Sequence, residues 1–248
     1  MRDYLTKTFI HVARIDDFYI AAGNRAPLIT DLPSDTGKEI FEMAVRIFGS
    51  LLDQNEDGTV DHPYLVNSLA EHLAFVIDHT DVTNEEEVKI QSLFGNYVMT
   101  MKSNIWPYMP SFSSSDCNLS LTELNTSLWR PETYNALWEE CFHTVTEAIN
   151  RVNPDFSFDH GSILGSYMQA DIDNGSYDIS EQNELEDDGY DFLTGVNEYV
   201  HQIWLINLCN RQNILNQYQL SVLEHISAVG VPLTINPDYD LELGEIVK

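Results

Sequence analysis

Apolar residues recur at two periods along the chain, and the change from one to the other predicts its elements. Near the start, Thr8-Phe-Ile-His-Val12 and Phe18-Tyr-Ile20 are short β-branched and aromatic runs of the kind that form strands. The Pro/Asn/Asp/Gly-rich piece from Gly23 to Gly37 reads as a loop. After it Ile40, Phe41, Ala44, Phe48 and Leu51 take up the 3,4 spacing of a helix, with Ser34 and Asp35 as caps. Pro63 suits the first turn of a following helix carrying Leu65, Val66, Leu69 and His72, and Leu73-Ala-Phe-Val-Ile77 reads as a buried strand. Thr83 and the acids behind it open another helix.

Pro107, Pro110 and a serine run make residues 104–130 an irregular stretch and a candidate sub-boundary. The second half is more plainly helical. Leu137, Trp138, Cys141, Phe142, Val145 and Ile149 give an apolar face to a helix over roughly Glu132 to Val152, stopped at Asn153-Pro154. Shorter helices are expected at 162–171 and at Tyr218–Ala228, with a long apolar one from Phe192 to Cys209. The pattern predicts one mixed α+β domain over 1–248, mainly helical, with a few short strands.

Composition narrows the partners. Forty acids against 12 bases give a formal charge of −28, which opposes binding to nucleic acid or to an anionic membrane and favours cations. A hydrophobic content of 43% is enough for a real core, yet no window approaches 18 uninterrupted apolar residues, so membrane insertion is not expected. The start, Met-Arg-Asp-Tyr-Leu-Thr-Lys, lacks the apolar run of a signal peptide, pointing to the cytoplasm, or to secretion only after removal of a leader. Asn118, Asn125 and Asn174 head Asn-x-Ser/Thr sites that secretion would open to glycosylation. Three cysteines, none in a Cys-x-x-Cys pair, exclude a disulfide scaffold.

Two stretches carry metal chemistry. Between the two helices flanking it, Asp53, Asn55 and Asp57 alternate, Gly58 follows, and the Thr59 carbonyl and Asp61 complete the ligand order of an EF-hand-like calcium loop. Six to eight oxygens around a hard cation require every second residue to turn inward, and a glycine permits the sharp bend. Tyr64 stands where a bidentate Glu is expected, so the loop is either a weak Ca2+ site or an Asp/Asn/Gly turn. The acidic run from Glu181 to Asp191 reads as a solvated loop, its sharper alternative being a second cation site.

The other stretch is the helix of His143. Glu139, His143 and Glu147 are four apart and share a stripe, with Glu140 close by. Zn2+ held by His143, Glu147 and Glu198 would activate water, with Glu140 or Glu139 as the catalytic base, and Glu198 and His201 are the best residues for a second ligand helix. The plain alternative is a solvated, salt-linked helix face. A di-iron reading pairs Glu140-Cys-Phe-His143 with Glu198-Tyr-Val-His201 and takes Glu42 and Glu71 as further ligands.

Several motifs recur together: Leu52-Asp-Gln-Asn-Glu-Asp-Gly-Thr-Val-Asp-His-Pro63, Glu139-Glu-Cys-Phe-His-Thr-Val-Thr146, Asn153-Pro-Asp-Phe156, Glu198-Tyr199 and Pro237-Asp238. In this combination the chain from Asp35 onward resembles a largely uncharacterised protein family common in marine microbes and some aquatic eukaryotes. Its helix often has a second His four residues after the first, which implies a metallopeptidase-like site; here Glu147 holds that position. The functional expectation is a metal-binding protein with a calcium loop and a zinc-dependent, peptidase-like hydrolase site, or else a non-catalytic calcium-stabilised acidic module.

Overall fold

The computed structural model describes residues 9–15, 18–24, 36–53, 55, 60–62, 65, 68–69, 74–78, 98–102, 136–179, 192–208 and 211–234. Within these, four strands and five α-helices follow in the order β1 (Phe9–Ile15), β2 (Phe18–Asn24), α1 (Thr36–Leu52), β3 (Ala74–Asp78), β4 (Val98–Lys102), α2 (Ala136–Val152), α3 (Ile163–Asp173), α4 (Phe192–Leu208) and α5 (Gln217–Ala228). The described residues are mainly helical and fall into two compact units.

The first unit holds a sheet of order β1-β2-β3-β4, antiparallel between β1 and β2 and parallel thereafter. The register sets Ile15 opposite Phe18, so β1 and β2 are joined by a two-residue connection, whereas parallel pairing of β2 with β3 (Ile20 opposite Phe75) requires a crossover. Helix α1 supplies it. Its Phe41, Ala44, Val45, Phe48 and Leu51 are buried, and it lies on β1 and β2 with Phe41 stacked on His11 at 5.4 Å and Phe48 edge-on to Phe18 at 4.8 Å. Ile20, Ala21 and Ala22 of β2 are all buried, as suits a strand with neighbours on both sides.

The strands expected near the N-terminus and at 73–77 are present, and Gly23 and Asn24, read as the start of a loop, still belong to β2. Strand β4 is an addition: Val-Met-Thr-Met-Lys is too short and too little punctuated to stand out as a strand in the sequence. The helix expected after Thr83 and the acidic run 181–191 lie outside the described residues.

The second unit is helical. It contains α3, α4 and α5 and the ends of α2, while the middle turns of α2, Glu140–Ala148, group with the sheet unit. Helix α4 is buried almost all round, with Val196, Tyr199, Val200, Ile203, Trp204 and Ile206 inside, which explains its nearly continuous apolar sequence. Trp204 Nε1 donates to the Pro232 carbonyl at 2.8 Å and its ring lies 6.3 Å from Trp138 of α2, fixing the first turn of α2 against α4. The Ser162 hydroxyl caps α3 by accepting the Gly165 N–H at 3.0 Å. A Cβ on Gly165 would come within 2.9 Å of both the Asp159 carbonyl and the Phe192 ring, so glycine is what permits this close approach of α3 to the start of α4. Helix α5 begins in a capping box, Asn216 and Gln219 each serving the other's backbone N–H.

Candidate metal centre

Glu139, His143, Glu198 and His201 each present a ligand atom such that all four atoms lie within 4.8 Å of one another. Two helices suffice to build the group. On α2, Glu139 and His143 are four residues apart, displaced by about 40° and about 6 Å along the axis; on α4, Glu198 and His201 are three apart, the other spacing that puts two side chains on one face. Three of the four belong to the helical unit, and His143 is held to Glu139 by the helix they share. His201 Nδ1 stands 3.8 Å from Glu139 Oε1, an ion-pair separation too long for a hydrogen bond.

Glu139, His143 and His201 are buried, and Glu198 is half-buried. Aromatic rings close round them. Phe142 meets His143 edge-on at 6.3 Å, and Trp204 lies 6.3 Å from His201. With neutral imidazoles and ionised carboxylates the group would carry two negative charges, which a divalent cation could offset. The donor set fits such an ion: imidazole nitrogen with carboxylate oxygen suits Zn2+, Fe2+ or Mn2+ better than Ca2+ or Mg2+, which favour oxygen alone. Tetrahedral ligands about 2.1 Å from an ion lie about 3.4 Å apart, so loading asks the set to close by roughly 1 Å.

The geometry regroups the residues singled out in the sequence. His143 and Glu198 do meet. Glu139, expected as a base, and His201, expected on the second ligand helix and in the di-iron pairing, join them, while Glu147 is not in the group. The reason is axial: Glu147 is two full turns from Glu139, about 12 Å along the helix, so an ion beside Glu139 and His143 lies beyond its reach. Glu140 points off the stripe and is half-buried. For the di-iron alternative, Glu42 on α1 is half-buried and is not part of the group, and Glu71 lies outside the described residues.

Of the calcium-loop residues, Asp57 and Thr59 lie outside the described set. Asp53 is buried at the end of α1, its N–H bonded to the Gly49 carbonyl at 2.8 Å. Asp61 returns to the helix end through its N–H to the Leu52 carbonyl at 2.8 Å, and its carboxylate accepts from the Asn55 side chain at 2.5 Å and the Asn55 N–H at 3.3 Å. Two of the expected calcium ligands are therefore neighbours, and the described residues do not show an EF-hand loop.

Three further side chains were missed in the sequence. Tyr177 is buried; burial first, then the charge of Glu198, push its phenol pKa up, against a lowering by the nearby Gln202 side chain. Tyr199 donates to Asp171 Oδ2 at 2.7 Å, and burial followed by this bond and the Asp171 charge raise its pKa. Asp171, fully buried, also accepts from Gln219 Nε2 at 2.7 Å and Asn216 Nδ2 at 2.6 Å. The only trace of this network in the sequence is the Asn-x-x-Gln pattern of a capping box; nothing in it signals a carboxylate 45 residues earlier. Cys141, between Glu139 and His143 but on another face of α2, stays a thiol, its pKa raised by burial and then by Glu140.

Compared with protein-family models, curated proteins and solved structures, the chain matches none. Among the described residues no helix is long and apolar enough to cross a membrane.

Proposed function

We propose that this protein binds one divalent transition-metal ion, zinc foremost, through Glu139, His143, Glu198 and His201. The observation that carries the reading is the convergence of two imidazoles and two carboxylates, largely buried, to within 4.8 Å. The resemblance to the marine and aquatic family belongs to the same reading, since its Glu-Glu-x-x-His helix is α2.

The finer proposal is zinc-dependent hydrolysis. Glu198, half-buried, and Glu139, buried, are the two carboxylates that would be placed to take a proton from a water activated at the site. Zinc supplies acidity to that water, lowering its pKa toward about 7. A site that keeps all four ligands would instead be structural, leaving a non-catalytic acidic module.

Elemental mass spectrometry on protein purified without chelator tests the reading by counting zinc, iron, manganese and calcium per chain. The expected result is about one transition metal per chain, lost in His143→Ala and in His201→Ala with the circular dichroism unchanged. Folded wild-type protein that neither carries such a metal nor takes up added zinc would refute it. Calcium lost in Asp53→Ala would assign that ion to the 53–61 loop instead. With zinc present, turnover of ester or peptide substrates, abolished in Glu198→Gln, separates enzyme from structural site.

A further inference from the structure

We propose that Tyr199 and Asp171 are positioning residues that set the rotation of α4 and so aim Glu198 and His201 at the metal, an inference that rests on the metal-binding reading. Tyr199 follows Glu198 by one residue and precedes His201 by two, which places it about 100° and about 160° round the helix from them, on a different face. From that face its hydroxyl reaches Asp171 of α3 at 2.7 Å. The carboxylate is itself immobilised by Gln219 at 2.7 Å and Asn216 at 2.6 Å, at the start of α5. Helix α4 is therefore pinned on one side to α3 and α5 and presents its ligands on another.

The backbone of Asp171 adds a second connection. Its carbonyl accepts the N–H of Ser176 at 2.8 Å and of Tyr177 at 3.1 Å, in a turn where Gly175 takes φ +76°. This turn delivers the Tyr177 ring edge-on to Tyr199 at 4.9 Å. One aspartate thus holds Tyr199 by its side chain and Tyr177 by its main chain.

Rotation matters because ligand atoms sit far from the helix axis. At a radius of roughly 6 Å, a turn of about 10° moves them by about 1 Å. Metal–ligand distances are held to about 0.2 Å, so a freed α4 would meet the ion with strained or missing ligands. The Tyr199 bond supplies orientation, which generic burial of an apolar helix does not.

Cobalt(II), a spectroscopic substitute for zinc, provides the test. Wild type, Tyr199→Phe, Asp171→Asn and Gln219→Met are titrated with cobalt(II) while the visible absorption is recorded and folding is checked by circular dichroism. Tyr199→Phe, which removes one oxygen, is expected to weaken affinity about 10- to 100-fold and to shift the visible bands. Asp171→Asn is expected to shift them in the same sense, and stands in if Tyr199→Phe does not fold. Gln219→Met removes another donor from the same carboxylate but leaves Asn216 and Tyr199 on it and alters no residue of α4, and is expected to bind within about 3-fold of wild type.

Wild-type affinity and spectrum in Tyr199→Phe would overturn the positioning role while leaving the metal site intact. An equal loss in Gln219→Met would also overturn it, by showing that the network acts only through overall stability. Wild type that binds no cobalt would overturn the metal reading, and the positioning role with it.

Discussion

Two faces of α4 solve the problem of buried carboxylates in opposite ways. Around Asp171, one carboxylate meets donors from Tyr199, Asn216 and Gln219 at 2.6 to 2.7 Å, a hydrogen-bonded environment that stabilises the charge by itself. Around Glu139, two carboxylates and two imidazoles converge with an ion-pair separation of 3.8 Å. Dipoles surround the first carboxylate; a cation of charge two is what the metal-binding proposal adds to the second group. The same helix therefore carries one carboxylate met by hydrogen-bond donors and one group that could hold a metal ion, and the geometry of the donors tells them apart where residue type does not.

The largest effect expected from this contrast is stabilisation by zinc. At a free concentration about 1,000 times Kd, binding to the native state alone contributes about 4 kcal/mol, or about 10 °C in Tm for a chain of this size. Thermal unfolding with zinc and then with excess chelator measures it; an unchanged Tm would erase the distinction between the two faces. Somewhat smaller is the cost of Asp171→Ala, which leaves the buried donors of Tyr199 and Gln219 and the half-buried one of Asn216 without their acceptor and should lose about 3 kcal/mol in urea unfolding. A loss below about 1 kcal/mol would mean that the cluster is no anchor.

The smallest effect, taken per group and per pH unit, is on alkaline stability. Tyr177 and Tyr199 have phenol pKa values raised in the folded state, chiefly by burial. Above pH about 10 the unfolded chain releases these protons while the folded chain keeps them, so the unfolded state binds fewer and stability falls with rising pH. Each tyrosine contributes a loss of about 1.4 kcal/mol per pH unit in that window and nothing below it. Cys141, raised for the same reason, adds its share from pH about 8.5. Urea unfolding from pH 8 to 11 reads the slope, and Tyr199→Phe should make it shallower above about 10 by one proton.

Helical periodicity made α1 to α5 legible, and β-branched, aromatic or continuous apolar runs revealed β1 to β3, because local sequence decides which face is buried. The candidate metal centre was half legible for the same reason. Spacing on one helix relates Glu139 to His143, and Glu198 to His201, but says nothing of which turn of α2 faces which turn of α4. That pairing depends on contacts such as Trp138 with Trp204, which no local pattern encodes. Glu147 illustrates the error: a stripe continues along a helix, whereas an ion is a point and accepts ligands from about one turn. Asp171 was hidden more deeply, since its three strongest donors come from α4 and from the start of α5, far along the chain.

The sheet carries a consequence for the order in which the chain assembles. β1 and β2 meet across two residues, so closing them costs little chain entropy, and hairpins of this kind form in microseconds. β3 can pair with β2 only after the crossover containing α1 has been gathered in, and β4 only after a further connection. Until then β2, whose central residues are apolar, has an open edge. Once α1 has seated on the hairpin it covers one face of β2, and the parallel pairings, which close longer stretches of chain, are expected to form after it.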